Sequence, residues 1–145
     1  MSFDAEYEPS PWEPVAQQVA DYERTNGEEG SDFMGGTCII LTTIGAKSGK
    51  VRKTPLIRVT KDGKYVVIGS MGGAPDNPQW VHNLRATPTA KLQDMATVKE
   101  YSVEELTGDE KATWWATATA VWPDYDEYQS STDRVIPLFL LTPAS

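Results

Sequence analysis

Histidine and cysteine are nearly missing from this chain of 145 residues, which has one of each, His82 and Cys38. One histidine without a nearby serine motif gives no Ser-His-Asp arrangement. One histidine and one cysteine give no zinc-type ligand set, so no metal residue is expected. A lone cysteine forms no internal disulfide. Cys38, in the run TCIIL, reads as a small core residue of a reducing compartment. Long apolar runs are also missing. The stretches 38–41 and 135–141 fall far short of the ~20 residues that cross a bilayer. The opening MSFDAEYEPSPWEP is acidic and has no apolar core, so no secretory signal is expected. Net positive charge is absent as well: the chain carries −8, which argues against general affinity for nucleic acid. These features predict a cytoplasmic protein without internal repeats or low-complexity tracts.

The charge that is present is unevenly placed. Seven of the thirteen basic residues fall between positions 47 and 64: Lys47, Lys50, Arg52, Lys53, Arg58, Lys61 and Lys64, opposed there only by Asp62. Residues 1–32 carry nine acids and one base, Arg24. A concentrated basic segment in an acidic chain suits a small anionic ligand. The same pattern also suits a solvated strand edge guarded by lysines.

A helix is expected after a capping box at Ser10-Pro11-Trp12-Glu13, with Trp12, Val15, Val19 and Tyr22 at helical spacing and Gly27 as its stop. A flexible connection follows over 25–36. Six strands are then expected, at 37–43, 54–60, 65–70, 89–93, 97–103 and 135–141, with Asp62-Gly63 as a hairpin turn. Asn77-Pro78 opens a short helix as N-cap and first residue. Thr107-Gly108-Asp109-Glu110 opens another as a capping box, and Pro123 ends it. Strands joined mostly by short turns, with helices at the start, middle and end, predict an α+β fold built on an antiparallel barrel.

Three segments hold candidate chemistry. Gly45-Ala46-Lys47-Ser48-Gly49-Lys50-x-Arg52-Lys53 combines two turn-forming glycines with cations that suit phosphate. It is not a Walker A loop, because Val51 follows Gly49-Lys50. Gly69-Ser70-Met71-Gly72-Gly73-Ala74-Pro75 follows a strand, and its small residues let a flat ring approach closely, with the Ser70 hydroxyl as a donor or acceptor. Trp122-Pro123-Asp124-Tyr125-Asp126-Glu127-Tyr128 breaks a helix and alternates tyrosines with acids. A tyrosine there could cap a pocket or supply a proton.

Those segments, with Thr54-Pro55-Leu56, Asn77-Pro78-x-Trp80-x-x-Asn83-Leu84 and Thr132-Asp133-Arg134-x-Ile136-Pro137, resemble the deazaflavin (F420)-dependent nitroreductase family over roughly residues 37–140. The resemblance implies an FMN-binding-like split β-barrel of about six mostly antiparallel strands with flanking helices. It divides the chain into an N-terminal helix and linker (1–36) and a cofactor-binding barrel (37–145). It implies reduced coenzyme F420 as cofactor and hydride transfer to a quinone, enone or nitro compound. Lys47, Ser48, Arg52 and Lys53, with Ala46, would hold the phosphate and glutamate tail. Thr54, Pro55 and Leu56 would line the deazaflavin, with Ile68, Gly69, Ser70, Met71, Gly72 and Gly73 around it. Trp80 and Asn83 would border the same pocket. Tyr125, Tyr128 and Ser70 would be the catalytic side chains. Met71 stands where familiar members have lysine, and Ile57 and Trp122 where the nitroimidazole-reducing member has tyrosines, which favours quinone or enone acceptors. An FMN-dependent reductase of the same barrel and a non-catalytic F420 carrier are the alternatives. The implied partner is a small-molecule electron acceptor, in a monomer or homodimer. A peripheral membrane contact through the N-terminal helix stays open, against the acidity of that segment.

Overall fold

Residues 36–44 form the axial strand, and its buried apolar side chains divide among three clusters. In the computed structural model, which describes residues 3–33 and 35–144, this strand is β2 (Gly36–Ile44), preceded by the two-residue β1 (Asp32–Phe33). Met34, in the expected linker, lies outside the described residues. β2 is buried along most of its length because both faces are covered, so it reads as a continuous apolar run rather than an alternation. One edge of β2 pairs with β3 (Val51–Ile57), and the other pairs with β1, where the Cys38 N–H donates to the Ser31 carbonyl, and then with β6 (Thr89–Asp94). The sheet continues through β7 (Thr97–Glu105), β8 (Leu138–Pro143), β5 (Lys64–Ile68) and β4 (Thr60–Lys61). Every named strand pairing is antiparallel. The six expected strands are all present, but the second runs over Val51–Ile57 rather than 54–60, so Arg52 and Lys53 lie on the strand. The two further strands, β1 and β4, are dipeptides too short to show periodicity.

One face of the sheet gathers Ile39, Leu41, Val67, Leu92, Tyr101, Phe139 and Leu141 around helix α2 (Gln79–Ala86), whose Trp80 meets Phe139 edge-on at 5.9 Å. The other face carries Cys38, Ile57, Val66, Ile68, Leu138 and Leu140 under α3 (Gly108–Val121) and α4 (Asp124–Ser130). α1 (Glu13–Thr25) packs Val19 and Tyr22 on Ile40. The buried Tyr22 hydroxyl donates to the Cys38 carbonyl at 3.1 Å, with that of Gln93 at 3.3 Å, and accepts from the Met95 N–H at 2.8 Å. Burial raises both the Tyr22 phenol and the Cys38 thiol above their ordinary pKa, and Cys38 is a buried core residue outside any disulfide.

Several local expectations are corrected. α1 begins at Glu13 with Trp12 as its N-cap, and Pro14 occupies the first turn. The Ser10 hydroxyl accepts from the Trp12 N–H (3.1 Å) and caps nothing. α2 is capped by Pro78 rather than Asn77, because the Asn77 amide oxygen is taken by Arg134. Thr107 does cap α3, but without a side-chain bond. Pro123 does end α3 but also opens a further helix, α4, where no helix was expected. The last strand begins at Leu138, since Val135 is exposed and Pro137 lacks a ladder donor. Among the described residues no helix is long and apolar enough to cross a membrane.

Candidate active site

The basic turn between β2 and β3 is built and then pinned. The Gly45 N–H donates to the Lys50 carbonyl (2.8 Å), and the Gly49 N–H donates back to Gly45 (2.9 Å). A side chain at Gly45 would displace the Ser48 hydroxyl and crowd the Lys50 carbonyl at 3.2 Å, and Gly49 sits at φ 71°, so the turn favours glycine at both positions. The pin is Asn83 of α2. Its amide oxygen accepts from the Ala46 N–H (2.9 Å) and from the Gln79 amide (3.3 Å), and its amide nitrogen donates to the Thr43 hydroxyl (3.0 Å). Lys47 and Ser48 project from the pinned turn into solvent, and Lys47 has no ion-pair partner among the described residues.

The register of β2 against β3 separates the residues that follow. Arg52, Thr54 and Leu56 lie opposite Thr43, Leu41 and Ile39, on the Trp80 face. Lys53 and Pro55 lie opposite Thr42 and Ile40, on the α1 face. The expected run 52–56 is therefore split between two faces. A cavity of ≈ 190 Å³ lies on the α1 face, among Tyr7, Glu23, Ile40, Thr42, Lys53 and Lys91; of the expected site residues it holds only Lys53. The cations on both faces already meet acids of the N-terminal region: Lys50 with Glu6 (3.2 Å), Arg52 with Glu8 (3.3 Å) and Lys53 with Glu23 (2.6 Å). Backbone bonds lay that region along β3: Val51 N–H to Glu6 O at 2.8 Å and Glu8 N–H to Val51 O at 2.9 Å.

The second group forms around the loop after β5. Gly69 is pressed between Val81 of α2 and Pro137. Ser70 leads into the single turn Met71–Gly73, and there Met71, Gly72 and Gly73 all adopt positive φ (46°, 65° and 82°). Gly73 rests on the Tyr128 backbone of α4 and on Ser131, which caps that helix's C-terminus. On that helix Tyr125 is 5% exposed and meets the Tyr128 ring edge-on at 6.2 Å. Burial, and secondarily Tyr128, raises the Tyr125 phenol above its ordinary pKa. Trp122 donates from Nε1 to the Tyr128 hydroxyl (3.4 Å) and stacks near Phe33 (5.8 Å, tilted). Among the described residues neither the Ser70 nor the Tyr125 hydroxyl makes a hydrogen bond. No buried polar side-chain atom among the described residues lacks a partner, so both hydroxyls keep access to solvent. Met71 is 56% exposed and contributes no charge.

Residues 15–143 match the F420H2-dependent quinone reductase family. The chain belongs to that family. An F420H2-dependent quinone reductase of Mycobacterium tuberculosis is 32% identical over 127 residues, covering 85% of each protein. A solved F420H2-dependent reductase is 44% identical with a TM-score of 0.69, over 72% of this chain and 93% of that one. A second solved structure, described as a domain-swapped dimer, is 39% identical with a TM-score of 0.72, over 92% of this chain and all of that one. The family's cofactor, coenzyme F420, fits the donor set. The exposed Lys47 on the pinned turn, with the partly buried Arg52 and Lys53 on the strand that follows, suits a phosphate and carboxylates. The glycine loop gives close backbone approach, with open space where a side chain on Gly72 would stand. Ser70 and Tyr125 offer two uncommitted hydroxyls.

Asn83 stands apart from the other expected ligand contacts: it is 1% exposed and its amide is spent on the turn. Two features of the region have no counterpart among the expected site residues. One is the set of acids Glu6, Glu8 and Glu23 on the basic strand, legible in advance only as the acid-rich opening that complements residues 47–64. The other is Arg134, whose guanidinium reaches back about sixty residues in sequence to the glycine loop. Its sequence signals are its place in the motif Thr132-Asp133-Arg134-x-Ile136-Pro137, which gave it no role, and its isolation as a cation in an otherwise uncharged segment, 134–145.

Proposed function

We propose that this protein is an F420H2-dependent quinone reductase whose own residues anchor the cofactor's anionic tail at one end of the site and donate to a quinone oxygen at the other. The bound cofactor supplies the hydride. Lys47, with Arg52 once released from Glu8, neutralises phosphate and carboxylates, Lys53 adds its charge from the α1 face once released from Glu23, and the Ser48 hydroxyl and the turn's backbone add donors. Thr54, Leu56 and Trp80 line the ring from the α2 side, and the loop from Ile68 through Ser70 to Gly73, which touches Val81 of α2 at Gly69 and Tyr128 at Gly73, carries the site over to the α4 side. Pro55 and Asn83 act from behind, the first on the α1 face and the second by holding the turn. At the acceptor end Tyr125 and Ser70 donate hydrogen bonds to the oxygen on which negative charge develops, and Tyr128 borders the same space. The apolar wall of Ile57, Trp122 and Phe33 excludes water and suits a flat, uncharged acceptor.

The observation that carries this proposal is the pair of uncommitted, nearly buried hydroxyls on two elements that touch at Gly73 and Tyr128. Anaerobic mixing of the protein with reduced F420 and a panel of quinones, enones and nitro compounds tests it, followed through the cofactor's visible absorbance. Cofactor oxidation that requires both protein and quinone supports the proposal. Tight binding without oxidation by any acceptor would make the protein a carrier, and preferential binding of FMN would change the cofactor. Sedimentation in the same buffers distinguishes the cytoplasmic homodimer we favour, by analogy with the domain-swapped relative, from a monomer.

A further inference from the structure

We propose that Arg134 is a positioning residue that locks the Ser70 loop onto the tyrosine-bearing helix α4, so that both donors address one acceptor; this rests on the reductase reading above. Four contacts radiate from one guanidinium. Nε donates to the Ala74 carbonyl (2.7 Å) and Nη2 to the Ser70 carbonyl (2.7 Å). Nη1 donates to the Gly69 carbonyl (3.0 Å) and to Asn77 Oδ1 (2.7 Å). Every one of these acceptors lies in the loop 69–77, and no carboxylate pairs with Arg134 among the described residues. A half-buried cation spent wholly on one loop is poor use of charge for stability alone, but it is a rigid fork that fixes several points at once.

The loop needs such a fixture. Met71 is a side-chain-bearing residue at φ 46°, flanked by Gly72 and Gly73 also at positive φ. For an L-residue that region costs about 1–2 kcal/mol, so it persists only where surroundings over-determine it. The loop's own backbone supplies two bonds, Gly73 N–H to Ser70 O and Ala74 N–H to Met71 O. Arg134 takes the carbonyls on either side of that turn.

The other end of the connection is Gln129 of α4, adjacent to Tyr128 and one turn beyond Tyr125. Its amide nitrogen donates to the Arg134 carbonyl (2.8 Å), and its amide oxygen accepts from the Ile136 N–H (2.9 Å). A continuous set of hydrogen bonds therefore runs from the tyrosine helix through Arg134 into the Ser70 loop. Lysine cannot reproduce it, because a compact ammonium with three donors does not span four acceptors held in a planar fork.

The test compares wild type with R134A, R134K and Q129L. In protein without cofactor, hydrogen exchange at Gly73 and Ala74 rises in R134A and R134K while exchange in β6 and β7 stays at wild-type values. With reduced F420 and quinone, kcat falls roughly a hundredfold in R134A, as expected for misplaced reacting groups. Cofactor affinity, read by tryptophan fluorescence, changes much less. Q129L lowers kcat in the same sense. Millimolar ethylguanidinium restores the rate of R134A and ethylammonium does not. Wild-type turnover in R134K, or unchanged exchange across 69–77 in both Arg134 variants, would overturn the proposal. If R134A fails to fold, R134K and Q129L decide it. If wild-type protein oxidises no reduced F420, the reductase reading fails, while the exchange data still decide whether Arg134 holds the loop.

Discussion

Arg52 on β3 meets Glu8 of the N-terminal segment at 3.3 Å, guanidinium to carboxylate, on the strand expected to receive an anionic tail. Lys50 and Lys53 are engaged in the same way by Glu6 and Glu23. Glutamates at 6 and 8, two residues apart on an extended segment, place two carboxylates along the strand as a chain of glutamates would. Exposed ion pairs of this kind are worth about 0–1 kcal/mol each, so an incoming polyanion displaces them cheaply. The variant E6Q/E8Q should bind F420 about two- to fivefold more tightly at low salt, as the loss of about 0.5–1 kcal/mol of competition implies. The gain should fade in molar salt. Fluorescence titration of both proteins across ionic strengths checks this, and equal affinities at low salt would show that these acids do not compete with the ligand.

Asn83 controls the turn without being reachable from solvent. In N83A the Ala46 N–H and the Thr43 hydroxyl lose their shared partner in a buried place. Leaving such groups unpaired costs about 1–3 kcal/mol. Urea denaturation should show that loss, and F420 affinity should fall although the replaced side chain touches no ligand. Unaltered affinity in the folded variant would mean that the turn holds its shape without α2.

Much of this arrangement was legible in the chain, and the misses have a common physical cause. The six long strands and three helices declare themselves by period, caps and turn residues, and Gly45, Gly49 and Asp62-Gly63 mark their turns. Those signals are local. The N-cap at Asn77 failed because a residue fifty-seven positions away claims the side chain that would cap. α4 was hidden because Pro123 reads as a stop, yet proline with φ −57° also begins a helix well. The cofactor residues were placed as a contiguous run, but strand alternation turned Arg52, Thr54 and Leu56 to one face and Lys53 to the other. Arg134 and the N-terminal acids act only through tertiary contact, which single-sequence patterns do not carry.

Gly73 and Gly72 offer a paired test of the contact between loop and α4. Both have positive φ, so alanine at either position pays the same backbone strain, about 1–2 kcal/mol. Only at Gly73 does the new methyl meet anything: the Ser131 hydroxyl, which can rotate away, and the Tyr128 carbonyl at 2.9 Å, which cannot. At Gly72 nothing lies within 4 Å. G73A should therefore lose more stability than G72A and should lower turnover more, by parting Ser70 from Tyr125. Thermal melts and steady-state kinetics on the two proteins check this; equal effects would show that strain, not contact, is what matters there.

Tyr125 should remain a proton donor throughout the physiological range. It is 5% exposed, and burial, then Tyr128, holds its phenol above the ordinary value of about 10. The rate should accordingly show no loss from Tyr125 ionisation between about pH 6 and 9. Y125F should reduce kcat about a hundredfold if the phenol acts as a general acid, with F420 affinity retained. The same shift has a consequence for stability. Folded protein holds the phenolic proton more tightly than the unfolded chain, so the contribution of this group is complete below about pH 10 and is lost as pH rises through the folded pKa. Tyr22, Tyr65 and Tyr101 are raised in the same direction by burial, so wild type should weaken progressively in alkali. Y125F should weaken less steeply, since one of these protons no longer exists to be lost. Urea midpoints measured at pH 8 and pH 11, with phenolate absorbance recorded alongside, give the comparison. An identical alkaline slope in the two proteins would mean that Tyr125 ionises as freely in the fold as outside it, and its part as a neutral donor would have to be given up.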